Sequence, residues 1–118
     1  MKYQIGKFET EIDATDADFL ERYEAAVEKY NEDVAKMPKD GKMSEQMRCV
    51  CAIINRTMDG IFGEGASDKM FGGAQSAGKH IEAFAELVRV MNDMEYVNGL
   101  ADKMGAQLPN REQRRKKK

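Results

Sequence analysis

The chain has 118 residues, of which 42% are hydrophobic and 34% are charged, and its formal net charge is −2. This length fits one domain, and the composition excludes a disordered polyampholyte. No run of about 18 apolar residues could span a bilayer, and the N-terminus has no apolar signal core, so we expect a soluble intracellular protein.

The first twelve residues alternate polar and apolar side chains around the dipeptide Gly6-Lys7. A two-residue turn with glycine in first place is typical of type II′, and it sets a register in which Tyr3 pairs with Thr10. Every apolar side chain of this predicted β-hairpin then lies on one face. Because an isolated hairpin is only marginally stable in water, we expect that face to pack on helices.

A first helix is expected to follow the hairpin. Thr15 or Asp16 offers its N-cap, and the helix runs to about Met37 because Pro38 cannot continue it. Apolar residues at spacings of three and four form a continuous stripe along it. The stripe comprises Leu20, Tyr23, Val27, Tyr30, Val34 and Met37.

A second helix is predicted from near Ser44 to just before Gly63. Its predicted buried face comprises Met47, Val50, Cys51, Ile54, Met58 and Ile61. The glycine-rich segment 60–79 then favours a loop with one helical turn that starts at Ser67.

Ser76 is the predicted cap of a third helix, which Gly99 kinks or divides and Gly105 ends. Its predicted stripe comprises Ile81, Phe84, Leu87, Val88, Met91, Met94 and Val97. The elements together predict an α+β domain that is mostly helical, with the N-terminal hairpin packed on a bundle of about three helices.

The charge changes sign near the C-terminus. The last eight residues, REQRRKKK, carry a net charge of +5, whereas residues 1–110 carry −7. We therefore predict a single domain over residues 1–108 and a flexible basic tail over residues 109–118. The basic side chains of that tail are Arg111, Arg114, Arg115, Lys116, Lys117 and Lys118.

The segment from Gly73 to Lys79 matches the spacing of a phosphate-binding loop. His80, however, occupies the position of the Ser or Thr that would hold Mg²⁺, and the preceding segment is glycine-rich instead of a hydrophobic strand. Nucleotide binding is therefore not expected. We interpret His80 as a residue of the first turn of the third helix, close to solvent.

Other catalytic and metal-binding patterns are equally incomplete. Cys49 and Cys51 are two residues apart on a predicted helix, so their side chains point apart, and they lack the second ligand pair of a zinc site. Glu82 and Glu86 are expected on a solvated helix face instead of facing each other across a cleft. The sequence predicts a protein that is not an enzyme and that uses no metal or cofactor.

Nine methionines are many for a chain of this length. They either fill the core or form a surface that repacks around a partner helix. Core filling is favoured because most of them lie on the predicted buried stripes. As a candidate partner-binding set we select Met58, Met70, Phe71, Met91 and Met94.

Three segments resemble the small tail assembly chaperones of long-tailed bacteriophages that infect Gram-positive hosts. They are the hairpin leading into DATDADFLERYEAA, the central FGEGASDKMFGG and the closing NREQRRKKK. The resemblance implies a non-catalytic chaperone that keeps tape measure protein soluble and helps the tail tube to polymerise around it. It further implies that Phe62 to Gly73 is a structured loop of the fold.

The same resemblance implies a location in the cytoplasm of an infected or prophage-carrying host, and absence from the mature virion. Its partners would be the tape measure protein and the tail tube protein, with self-association left open. The basic end would mark a junction at which translation shifts frame and appends a second domain.

Two alternatives stay open at this point. The first is a small nucleic-acid-binding or regulatory protein that uses the basic tail, and the second is a structural component of the tail. Nucleic acid is the less favoured partner because no predicted helix has a basic face and the body is acidic. No membrane partner is expected.

Overall fold

The computed structural model of the protein describes residues 1–107, apart from the side chains of Met94, Tyr96, Ala106 and Gln107. The predicted tail, residues 109–118, lies outside the described residues. The elements are β1 (Lys2–Ile5), β2 (Phe8–Glu11), α1 (Ala17–Ala35), α2 (Met43–Phe62), α3 (Ala66–Phe71), α4 (Ala77–Met91) and α5 (Met94–Gln107). The predicted fold class, α+β and mostly helical, is confirmed.

The hairpin forms in the predicted register, with Tyr3 opposite Thr10 in an antiparallel pair of strands. Its turn is formed by Gly6, which has a φ of +57°, and Lys7, which does not have a positive φ. That combination is the one a type II′ turn requires. The register places the apolar side chains on one face, as predicted.

Aromatic contacts hold this face on the helices. Phe62 at the end of α2 has its ring centroid 5.5 Å from that of Tyr3, 5.0 Å from that of Phe8 and 5.9 Å from that of Phe19. The Tyr3 hydroxyl also donates a hydrogen bond of 2.9 Å to the carbonyl of Ala83 in α4. The prediction that the hairpin packs on the helical body is therefore confirmed.

α1 and α2 form an antiparallel pair. α1 begins after Asp16, whose carboxylate accepts a hydrogen bond from the backbone N–H of Phe19. Phe19 lies against Phe62 at the far end of α2, whereas Asp33, near the end of α1, is 3.4 Å from Arg56 in the body of α2. No residue of α1 is fully buried, because this helix covers only one side of the core.

α2 is the central helix and packs against α1, α3 and α4. Its buried residues are Cys51, Ile53, Ile54, Thr57, Met58 and Ile61. Met47, predicted as buried, is 37% exposed. The polar Thr57 is buried because its hydroxyl donates a hydrogen bond of 2.8 Å to the carbonyl of Ile53 within the helix.

The glycine-rich segment contains a short helix, α3, which starts at Ala66, one residue before the predicted turn. The end of α3 lies against the hairpin turn, where the backbone N–H of Lys7 donates to the carbonyl of Lys69 at 3.1 Å. The family resemblance implied that Phe62 to Gly73 is a structured loop. In the structure this segment contains α3, which contacts the hairpin turn.

α4 begins after Ser76, whose hydroxyl accepts a hydrogen bond from the N–H of Lys79, as the predicted cap requires. Its buried arc differs from the predicted one, because His80 is buried whereas Ile81 is 52% exposed. The hairpin contacts α4 at Ala83 and covers a side that hydrophobic periodicity did not identify. The predicted solvent position of His80 is therefore wrong.

The third predicted helix is divided, but at Asn92 and Asp93 and not at Gly99. The N–H of Asn92 closes the last turn of α4 on Val88, and a carboxylate oxygen of Asp93 accepts from the N–H of Glu95 to start α5. α5 then continues past Gly105, so the predicted end there is also wrong.

Candidate protein-binding surface

Most of the predicted partner-binding residues lie in the core. Met58 is 0% exposed, Met70 is 5% exposed and Met91 is 9% exposed. Phe71 is half-buried and its ring stacks on His80, with centroids 3.7 Å apart. The side chain of Met94 is outside the described part of the chain. Met58, Met70 and Met91 are therefore core residues. In the folded protein they are not available to bind a partner.

The exposed apolar side chains concentrate at a different place. Among the described residues, five large hydrophobic side chains are exposed: Val34, Met43, Met47, Ile81 and Met104. Val34 lies at the end of α1, Met43 and Met47 lie at the start of α2, and Ile81 of α4 shares a groove with Val34. Met104 lies on α5. Scattered exposed apolar residues are ordinary, whereas a cluster of them marks an interaction site.

A groove of about 130 Å³ forms the centre of this cluster. Its lining is apolar: Tyr30 and Val34 of α1, Met37 just after the end of α1, Val50 and Ile53 of α2, and Ile81 of α4. Met47 and Met43 lie one and two turns before Val50 on the same side of α2, so they extend the groove. We call these eight residues the open face.

The open face exists because α4 starts too late to cover it. α4 meets α2 near its middle, where His80 contacts the Asn55 side chain at 3.0 Å and Ile81 shares the groove with Val50. The two turns of α2 that precede Val50 continue the apolar stripe beyond this point, as the exposure of Met43 and Met47 shows. The apolar stripes of α1 and α2 thus extend beyond the part that α4 covers.

The sequence contains a signal for the open face, although periodicity did not identify it. The stripe of α1 runs without interruption to Met37, and Met43 and Met47 bring the stripe of α2 to its first residue. Only the residues after Ser76, in the third predicted helix, are available to cover these two stripes. Counting turns on each side of the core would have indicated an excess of apolar surface.

Charge is distributed unevenly between the two ends of α1. Residues 9–24 contain seven acidic residues and one arginine, whereas residues 28–48 contain five acidic and five basic residues. Asp33 forms ion pairs with Lys29, at 3.1 Å, and with Arg56. The hydrogen bond and charge of Lys29 and Arg56 lower the pKa of the Asp33 carboxyl, so this carboxylate stays ionised beside the open face. The end of the molecule that carries the open face is therefore close to neutral.

His80 has a structural role at the start of α4. Its side chain is fully buried, with Nδ1 2.7 Å from the carbonyl oxygen of Ser76 and Nε2 3.0 Å from the Asn55 side-chain oxygen. The ring also stacks on Phe71 at the end of α3. These contacts join α2, α3 and α4, and they use both ring nitrogens.

The segment that resembles a phosphate-binding loop has a different local structure. It follows α3, a helix, and not the strand that such loops require. The N–H of Ala74 donates to the carbonyl of Phe71, and the N–H of Lys79 is capped by Ser76. Two of the backbone donors that would hold a phosphate are therefore already used.

A cavity of about 380 Å³ lies between the hairpin turn and the start of α4. Ile5, Met70 and Phe71 form much of its lining, with Lys79 and Glu82 as its charged side chains. Among the side chains that the structure describes, no buried polar atom lacks a hydrogen-bond partner, so none in this cavity requires a ligand.

The described residues contain no group of three metal-ligating side chains, and no helix among them is long and apolar enough to cross a membrane. Cys49 and Cys51 are free thiols. Cys51 is fully buried, and its burial raises the pKa of the thiol, which favours the unreactive protonated form.

A family model matches residues 6–118, from the hairpin turn through the basic end. The chain belongs to DUF6673, a family of unknown function. No curated protein and no solved structure matches it. The match extends over β2 and all five helices, so the elements that build the open face are part of the family region.

Proposed function

We propose that this protein is a phage tail assembly chaperone that binds tape measure protein and assists polymerisation of the tail tube, without catalysis. The observation that carries the proposal is the open face, whose groove is lined by the exposed Val34 and Ile81 and whose α2 stripe continues to the exposed Met43 and Met47. It adds a binding surface to the resemblance seen in the hairpin region, the FGEGASDKMFGG segment and the basic end.

The open face has the chemistry of a site for an amphipathic helix. Its groove lies between α1 and α4 over α2, and a helix docks in such a groove through apolar residues at spacings of three and four. Met37, Met43 and Met47 have unbranched, flexible side chains that adapt to different apolar ridges. A long client with many similar helical stripes, such as a tape measure protein, requires adaptability of this kind more than a unique fit.

In this proposal the chaperone acts in the host cytoplasm before the tube closes and is absent from the finished particle. The client helices are covered while they wait for tube protein, and tube polymerisation displaces the chaperone. In the same proposal, the basic residues from Arg111 onwards engage the tail tube protein, directly or through an appended domain.

The test is co-expression of the chain with the tape measure protein encoded by the same phage genome. We expect soluble tape measure protein and a complex that co-purifies. Met43→Asp is expected to reduce the recovered complex at least about tenfold, because it places an unpaired carboxylate in an apolar contact. Met43 is the first residue of α2, where an acidic residue is favourable to the helix, so the variant should fold.

Met104→Asp provides the matched control. Met104 is 64% exposed and Met43 is 69% exposed, but Met104 lies on α5 and does not line the groove. Recovery of the complex should be unchanged in this variant. Equal solubility of the tape measure protein with and without the chaperone, or equal loss in both variants, would show that the proposal is wrong.

A further inference from the structure

We infer that the open face is also a self-association surface, on which two copies of this chain pack about a two-fold axis. This inference goes beyond the proposed function and holds for the isolated protein, whatever client it serves. Its first support is the geometry of the face. α1 and α2 present an antiparallel helix pair whose joined ends keep Val34, Met43 and Met47 exposed, although Ile81 of α4 also lines the groove between them.

Two such pairs form a four-helix arrangement when their open faces meet. A two-fold contact uses the same patch on both copies, so a single apolar patch is sufficient for both sides. The apolar stretch from Tyr30 to Met37 and that from Met43 to Ile53 are each two to three turns, or about 10–15 Å long. Packing of antiparallel helices over this length gives a short four-helix bundle.

Charge selects this end of the molecule for contact between identical copies. Residues 28–48 carry equal numbers of acidic and basic residues, so two copies that meet here do not repel each other. Residues 9–24, at the other end of α1, carry a net charge of −6, and a contact between two copies there would be opposed. The cluster of exposed large hydrophobic side chains found among the described residues therefore coincides with the part of α1 that tolerates a like partner.

The dimer is expected to be weak. The face contains only a few exposed side chains, far fewer than the 20–30 residues per side of a standard stable interface. We therefore expect dimerisation only at high protein concentration. Such a dimer hides the apolar side chains of the free protein and still releases them to a client that binds more tightly.

Sedimentation equilibrium from about 1 µM to about 1 mM tests the inference. The wild-type mass should rise from that of one chain towards that of two. Met43→Asp on α2 and Val34→Asp on α1 should each raise the dissociation constant at least about tenfold. Met104→Asp, with similar exposure elsewhere, should leave it within about twofold, and circular dichroism verifies that all variants fold.

A wild-type protein that stays monomeric to the highest concentration would overturn the inference, as would equal weakening by Met104→Asp. Growth beyond two chains would also overturn it, because a closed two-fold contact leaves no open face. The co-expression experiment reports separately on the chaperone proposal. A dimer that does not bind the client would support self-association and contradict the chaperone proposal. Client binding by a protein that stays monomeric would support the chaperone proposal and contradict self-association.

Discussion

Gly6 in the hairpin turn is the position at which a single methyl group should disturb the fold most directly. A Cβ atom at this position would lie 2.4 Å from the carbonyl oxygen of Met70 and 3.2 Å from that of Lys69. Both atoms belong to the backbone of α3, so no side-chain rotation can relieve the contact. The Gly6→Ala variant must separate the hairpin turn from α3.

The expected loss of stability has two parts. An alanine at a φ of +57° costs about 1–2 kcal/mol because Cβ approaches the backbone. Separation from α3 also breaks the hydrogen bond from the Lys7 N–H to the Lys69 carbonyl, which contributes about 1 kcal/mol. The total of about 2–3 kcal/mol corresponds to a fall in Tm of at least about 8 °C in a domain of roughly this size.

Gly72→Ala is the control in the same urea and thermal unfolding experiments, followed by circular dichroism. Gly72 has the same φ of +57°, but a Cβ there meets no atom within 4 Å. This variant should lose only the part due to φ, so Gly6→Ala should be the less stable of the two by at least about 1 kcal/mol. Equal losses would refute the reasoning that α3 is seated on the hairpin turn.

Two further predictions concern Tyr3 and the segment from Gly73 to Lys79. Burial, with a smaller contribution from the Glu86 carboxylate, raises the pKa of the Tyr3 hydroxyl, so the folded state favours the neutral form. The resulting stabilisation is complete below about pH 10, the ordinary pKa, and is lost as the pH rises above it. Urea unfolding should therefore show a steeper loss above pH 10 for wild type than for Tyr3→Phe, and parallel profiles would contradict this. At neutral pH the same variant should cost about 1 kcal/mol, because the hydrogen bond to the Ala83 carbonyl is lost. Titration calorimetry with Mg-ATP or Mg-GTP should detect no binding tighter than about 1 mM, and micromolar binding that Lys79→Ala abolishes would disprove the structural reading of that segment.

Local signals were sufficient to predict the hairpin and most helix boundaries. Gly6-Lys7 fixes the turn type, and the turn fixes the pairing of Tyr3 with Thr10, because side chains in a strand alternate with period two. Asp16 and Ser76 cap α1 and α4 by accepting hydrogen bonds from residues three positions later. These features depend on neighbours in the chain, and the sequence contains those neighbours.

The orientation of α4 depended on residues far away in the chain. Hydrophobicity alone favoured a buried Ile81 and an exposed His80. In the structure, however, the His80 ring hydrogen-bonds the Asn55 side chain and stacks on Phe71, so it is buried without losing its polar contacts. A buried polar group costs little when its hydrogen bonds are satisfied, and only the tertiary structure shows that they are.

The sequence by itself determined that a hairpin and amphipathic helices bury their apolar faces together, because periodicity and capping are local properties of the chain. It also contained the excess of apolar surface near Met37, Met43 and Met47. Only the tertiary structure decided which methionines line the core and which are exposed. That outcome depends on where α4 begins relative to α2, since a stripe is buried only as far as another element extends to cover it.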